Sequence, residues 1–403
     1  MKHGIMKIKI NNQSIIMFLL ALFLITKVIR TFSGAVDTVG GIWNVVQSVF
    51  LLIGLMWSLK YFPTYRKEYP IVILVLFDLY VFLLATPKFE LSLSGVFNIF
   101  MLLYAACIFV LFFIVGMRTD LREKSLITYI FYIVTIIIIF SMIRWFLSGS
   151  RASFIKLIDV ADVYYPLGLM PLVLVFTKKK YSYIPLLFLA TALVFTGKRA
   201  GILALVMMAL VFYLSKNQKE KVRDSIKKVI TIVAIGAIMY YLAIYLDNYF
   251  NLRLISRLYS MTEDGGSGRI ERWISVINAL RQSDVFNLLF GHGWGSVKNI
   301  LGGHAHNDFL EIFYEFGIFA ALLYISFYFS LIIKLFQMIK CKYRYVAEYT
   351  ASLICSLFLT LFSFYFIKPF YITCGMLCFG FFLSDFKKFM CEKRGLNHVD
   401  IQS

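Results

Sequence analysis

Residues 291–317 read GHGWGSVKNILGGHAHNDFLEIFYEFG. The first half carries Gly291, Gly293, Gly295, Gly302 and Gly303, too dense a punctuation for a regular helix. The second half turns apolar and continues without a break to Ile333, long enough to predict a helix that crosses a bilayer. Between them stand His306, Asn307 and Asp308, a polar and titratable cluster at the mouth of that helix.

The rest of the chain supplies the setting. Of 403 residues, 60% are hydrophobic and 16% charged, the composition of an all-α polytopic membrane protein. A spanning helix needs about 20 predominantly apolar residues. Twelve stretches approach that: 15–29, 42–59, 70–85, 96–116, 126–147, 164–176, 183–196, 200–214, 229–246, 309–333, 349–367 and 370–386. The first reads as an uncleaved span and not as a removed signal peptide. With the N-terminus in the cytoplasm, every inside connection carries at least three Lys or Arg, so both termini are predicted inside. The formal charge of +19 is then mostly a topology signal, and nucleic acid is not needed to explain it.

This layout divides the chain into nine spans over 1–246, one large extracytoplasmic loop over 247–305, and three spans with a cytoplasmic tail over 306–403. The loop begins with Arg253 and Arg257, and 263–268 form a flexible joint. After it, 269–282 has helical periodicity, with Ile270, Trp273, Ile274, Ile277 and Leu280 on one apolar face expected to lie along the membrane surface. The hairpin over 183–214 has short arms. Fourteen helical residues rise about 21 Å against a hydrocarbon core of about 30 Å, so the turn Gly197-Lys198-Arg199 is expected to be recessed.

Five His and six Cys leave little room for a multi-metal or disulfide-built site. Cys374 and Cys378 share a helix face and read as small packing residues. Asp-x-Asp is absent, as are a Gly-x-Ser-x-Gly elbow and a phosphate loop ending in Gly-Lys-Ser/Thr. Metal-chelated sugar nucleotides, hydrolytic triads and nucleotide-driven pumping all lose ground.

Charged residues that break the apolar monotony are the candidates for chemistry. Lys198 and Arg199 read either as a snorkelling outer turn or as a cationic pocket for an anionic headgroup. Arg269 and Arg272, three apart, project in neighbouring directions, either toward a ligand or into a solvated face with Glu271. Along the His306 helix, at about 100° per residue, Leu310, Phe313 and Gly317 share the face of His306, while Asp308, Glu311 and Glu315 point roughly opposite. Glu315, about two turns deeper, needs a partner, for which Lys198, Arg199 or a loop Arg qualifies. Asp78, mid-span, reads as half of a structural ion pair.

Taken in order, Thr196-Gly197-Lys198-Arg199, Gly268-Arg269 with Trp273, Gly291-His292-Gly293-Trp294-Gly295, and His306-Asn307 followed by Gly317 resemble the motifs of the O-antigen ligase and O-antigen polymerase family. The resemblance covers the second half of the chain. Lys198 departs from it, since a small or polar residue often precedes the Arg in that family. What it implies is a GT-C-like glycosyltransferase: inverting transfer outside the cytoplasmic (inner) membrane of a bacterium, with no metal and no nucleotide cofactor. The implied donor is an oligosaccharide on undecaprenyl pyrophosphate, with membrane lipid, a flippase and a chain-length regulator as pathway partners. Arg199 and Arg269 are then expected to stabilise the leaving pyrophosphate, with Lys198 and Arg272 as helpers. His306 is expected to be either the general base or, if protonated, a pyrophosphate ligand. Asn307 would orient the base or the acceptor sugar, and Glu315 joins the binding set. Polymerase is the leading reading; a ligase to lipid A core and, more distantly, a protein O-glycan ligase share its motifs. A lipid-linked oligosaccharide flippase is the alternative from another class.

Overall fold

The computed structural model describes residues 38–85, 102–118, 125–148, 163–177, 181–196, 198–216, 241, 244–245, 268–363 and 369–393. The expected spans 15–29 and 229–246, and the loop segment holding Arg253 and Arg257, lie outside the described residues, apart from Tyr241, Ile244 and Tyr245.

Among the described residues the secondary structure is entirely helical. The helices are α1 (Thr38–Lys60), α2 (Phe62–Tyr65), α3 (Tyr69–Ala85), α4 (Tyr104–Arg118), α5 (Ser125–Ser148), α6 (Tyr164–Phe176) and α7 (Tyr183–Thr196). They continue with α8 (Arg199–Lys216), α9 (Arg269–Arg281), α10 (Val285–Phe290), α11 (Ser296–Leu301), α12 (Asp308–Lys340), α13 (Val346–Phe362) and α14 (Pro369–Lys393). Among the described residues, only α12 is both long and apolar enough to cross a membrane, and shorter apolar helices of 10–17 residues accompany it. The α6 and α7 boundaries coincide with those expected from hydropathy, whereas α8 runs to 18 residues and is not the short arm expected. The architecture is compatible with an all-α membrane protein.

The core is an aromatic-rich bundle in which α14 packs on α4 and α6, α13 on α8, and α12 on α3. Tyr324 and Tyr328 of α12 bond across to α13, at 3.0 Å from the Thr360 hydroxyl and 2.9 Å from the Ser356 hydroxyl respectively. Buried polar groups in an apolar bundle must be paired in this way, because each unpaired one costs free energy. Asp78 is handled differently from expectation. Its Oδ2 accepts the backbone N–H of Ala106 at 2.8 Å, a side-chain-to-backbone hydrogen bond where an ion pair was expected. Cys378 Sγ lies 3.0 Å from the carbonyl of Gly168 and Cys374 packs against the same glycine, so both are packing residues.

The decisive element is α12, which is not the unbroken helix expected. Gly317 sits within it at φ 78°, ψ −177°, a non-helical conformation. In a straight helix the Cα atoms of residues 309 and 324 would lie about 22 Å apart. Instead the Phe309 ring lies 5.1 Å from that of Tyr324 and 6.1 Å from that of Tyr328. The nine residues before Gly317 therefore fold back along the arm that follows it. Residues 318–340 form the crossing arm, about 34 Å long by helical rise, and expose Phe319, Leu322, Ile325, Phe329, Ile333 and Phe336 on one side. Residues 308–316 form a short return arm carrying the polar cluster back alongside Tyr324.

Candidate functional site

The glycine loop and the break in α12 are one construction. Breaking the helix at Gly317 frees carbonyls, and the loop supplies the missing donors: His292 N–H to Tyr314 O at 2.9 Å and Gly293 N–H to Glu315 O at 2.8 Å. The two backbones cross so closely that a Cβ on Gly291 would strike the carbonyl of Glu315, and one on Gly317 would strike the carbonyl of Leu289. Both residues also have positive φ, 80° and 78°, which glycine alone adopts cheaply. His292 completes the clasp. Its ring stacks on Tyr314 at 4.2 Å, and its Nε2 lies 2.7 Å from Ser283 Oγ. Ser283 spends its one hydroxyl proton on the Ala279 carbonyl, so His292 Nε2–H is the donor of that bond.

Helix α9 and the return arm grip the next segment from opposite sides. Arg272 Nη1 donates to the His304 carbonyl at 2.8 Å, and Trp273 Nε1 donates to the Ala305 carbonyl at 2.9 Å. From the other side, Glu311 accepts the Ala305 N–H at 3.1 Å on Oε2 and meets His304 Nδ1 at 2.6 Å on Oε1. Asn307 caps the return arm, its Oδ1 accepting from the Leu310 N–H at 3.1 Å.

His306 thus precedes the cap and does not belong to the helix, so the expected shared face with Leu310, Phe313 and Gly317 does not exist. Its φ is 58°, a left-handed conformation costly for a non-glycine residue and sustained here by the bonds on both flanks. Burial pushes its pKa down to about 4, helped by the positive charges of Arg269, Arg272 and Lys198 and by the neighbouring His304. These surroundings oppose protonation of the imidazole.

The structure therefore brings together Lys198, from the turn entering α8, with Arg269, Arg272 and His306 from segments far along the chain. Arg199 opens α8 beside Lys198, and its side chain is not among the described features. Glu315 has a different partner from those expected: it takes the backbone N–H groups of Val297, at 3.4 Å, and Gly295, and so anchors the glycine loop. Along α9 the predicted apolar face is split. Val276 and Leu280 face inward, while Ile270, Ile274 and Ile277 are exposed.

Sequence reasoning missed the His304–Glu311 pair. A helical wheel relates only residues on one helix, and His304 reaches Glu311 from the loop before the cap. The i, i+7 spacing was the available signal, visible only once the loop is known to turn back.

No curated protein matches the chain. Residues 184–325 match the family model described as O-antigen ligase, an interval that encloses Lys198, Arg269, Arg272, His304, His306 and the Gly291–Gly317 clasp. Over this interval the chain is similar to the O-antigen ligase family.

Proposed function

We propose that this protein transfers a glycan from undecaprenyl pyrophosphate to a lipid-linked repeat unit, acting as a bacterial surface-polysaccharide polymerase on the outer side of the cytoplasmic membrane. One observation carries the reading: Lys198 from one segment and Arg269 and Arg272 from another, distant in the chain, act together on a half-buried histidine. A departing pyrophosphate gains negative charge in the transition state, and guanidinium forks stabilise that charge by charge-assisted hydrogen bonds. Arg269 and Arg199 are assigned that role, with Lys198 beside them. Arg272, whose Nη1 is bonded to the His304 carbonyl, positions the histidine loop. Positive charge that would otherwise repel itself at a half-buried site is relieved when an anion arrives. The same anion raises the basicity of His306, coupling donor binding to the state of the imidazole.

The second reading is transfer of a finished glycan to a lipid core, favoured by the description of the matching family as O-antigen ligase. Both reactions use the same donor, and the acceptor distinguishes them. The test is the surface-polysaccharide gel profile of a deletion strain complemented with wild type or with His306→Ala. Core lipid bearing a single repeat unit identifies a polymerase. Bare core with long polymer held on the carrier identifies a ligase. Loss of lipid-linked sugar translocation in the variant would instead point to a flippase and sink both readings.

A further inference from the structure

Helix α9 carries packed, apolar and polar strips side by side around its circumference. At about 100° per residue, Ile277, Ile270, Arg281 and Ile274 fall within an arc of about 60°, and all of them are exposed. On one flank of that arc stand Trp273, Val276 and Leu280, which turn inward. On the other flank stand Asn278, Glu271 and Gln282, exposed and polar. An isoleucine strip between a packed flank and a polar flank is the pattern of a helix lying in a membrane interface, its apolar side sunk about 5–10 Å into the headgroup boundary.

Helix α10 carries apolar surface from the crossing arm of α12 toward that strip. Val285 and Phe286 are 72% and 69% exposed. The Phe286 ring lies 5.0 Å from that of Phe290, and Phe290 lies 6.0 Å from Phe319. Phe319 opens the exposed apolar side of the crossing arm, which runs about 26 Å to Phe336 by helical rise. That length nearly fills a hydrocarbon core of about 30 Å. The Phe286–Phe290–Phe319 ladder therefore starts at one end of the apolar length and extends it onto α10. Backbone contact fixes the position of α10 as well, because the Leu289 carbonyl occupies the place of a Cβ on Gly317.

We infer that α9 and α10 form an elbow seated in the phospholipid bilayer. Ile270, Ile274, Ile277 and Phe286 lie among acyl chains at the headgroup boundary, and Arg281 reaches lipid phosphate. Continuity identifies the occupant: a patch joined ring to ring with the exposed side of a membrane-crossing helix meets the same lipid. A protein partner would have to fit between this patch and the lipid around Phe319 and Leu322. An arginine bordering the isoleucine strip suits the anionic phosphates at that depth. The inward side of α9 holds the carbonyls of His304 and Ala305 through Arg272 and Trp273. The bilayer surface thereby sets the height of the histidine loop. The inference rests on α12 crossing the membrane and not on the transfer reaction or its acceptor.

The test reads lipid contact directly, in the full-length protein reconstituted into nanodiscs of phosphatidylethanolamine and phosphatidylglycerol. Cys107, Cys355, Cys374 and Cys378 are buried, so Cys341→Ser with Cys391→Ser leaves a background in which an introduced thiol takes the spin label. Labels are placed singly through Ile274→Cys, Phe286→Cys, Asn278→Cys and Phe329→Cys. Collision rates are measured with oxygen, which concentrates among acyl chains, and with a water-soluble nickel chelate. Ile274→Cys and Phe286→Cys should behave like Phe329→Cys, with oxygen collisions exceeding nickel collisions. At Asn278→Cys the ratio should reverse.

Nickel excess at Ile274→Cys and Phe286→Cys would place the elbow in water and overturn the inference. Protection from both reagents would mean that protein covers the face, from this chain or a second copy, and would overturn it as well. Should Phe286→Cys fail to fold, Val285→Cys, adjacent and equally exposed, carries the same expectation. Nickel excess at Phe329→Cys would sink the crossing reading of α12 together with the elbow. Failure of glycosyl transfer leaves these collision rates untouched, so the two readings stand or fall separately.

Discussion

His306 occupies a backbone angle of φ 58° and a cationic setting at once, and each has a measurable consequence. Its folded pKa, about 4, lies below the ordinary histidine value of 6.5. Between those values the unfolded chain binds the proton that the folded site refuses, so stability falls as pH drops through this window. The thermal midpoint of wild type in detergent should therefore drop relative to His306→Gln on going from pH 7 to pH 5; parallel midpoints would contradict the surroundings described. Arg269 makes a second residue-scale claim. Arg269→Lys keeps the charge and loses the fork, so transfer should fall about tenfold or more, on the order of one charge-assisted bond. Wild-type activity in Arg269→Lys membranes would exclude bidentate pyrophosphate binding. At this scale the sequence is informative about residue types: Lys198, Arg269, Arg272 and His306 stand out in it, and the fold gathers them. It was silent on His304 because proximity to Glu311 depends on a cap and a loop that no single-helix periodicity encodes.

Among the elements, the clasp between the glycine loop and α12 decides where the histidines sit. Gly317→Ala must place a Cβ against the Leu289 carbonyl in a conformation unfavourable for alanine, a strain of about 1–3 kcal/mol before the clash is counted. The expected outcome is a lower thermal midpoint together with loss of transfer; an unaltered midpoint would mean that the break does not depend on glycine. The hydropathy of 309–333 predicted one long helix because an apolar run looks the same whether it continues or turns back. Gly317 and the glycine-dense loop were both visible in the sequence. Their mutual dependence was not, since it lies in backbone bonds between segments that individually read as a loop and a span.

Over the whole molecule, the bundle is tied at the edge opposite the clasp by ion pairs that hydropathy treats only as orientation signals. Lys334 of the crossing arm lies 2.7 Å from Glu68, Lys387 of α14 lies 3.8 Å from the same carboxylate, and Arg344 lies 3.3 Å from Asp385. Glu68 joins two helices distant in sequence, and both partners are mostly buried, so Glu68→Gln should cost about 2 kcal/mol, between an exposed pair and a sealed one. Thermal unfolding in detergent checks it, and a cost near zero would reduce the contact to a surface pair. The helical class and most described helices were legible from apolar run length. The pairing of helices was not, because lipid-facing and bundle-facing residues are equally apolar.

The clasp has a consequence for how this segment tolerates change. The bonds described that fix the histidine loop fall within residues 268–317. Neither Gly291 nor Gly317 can take a side chain without displacing the backbone that passes it, so each glycine holds the other in place. The two positions should change together or not at all.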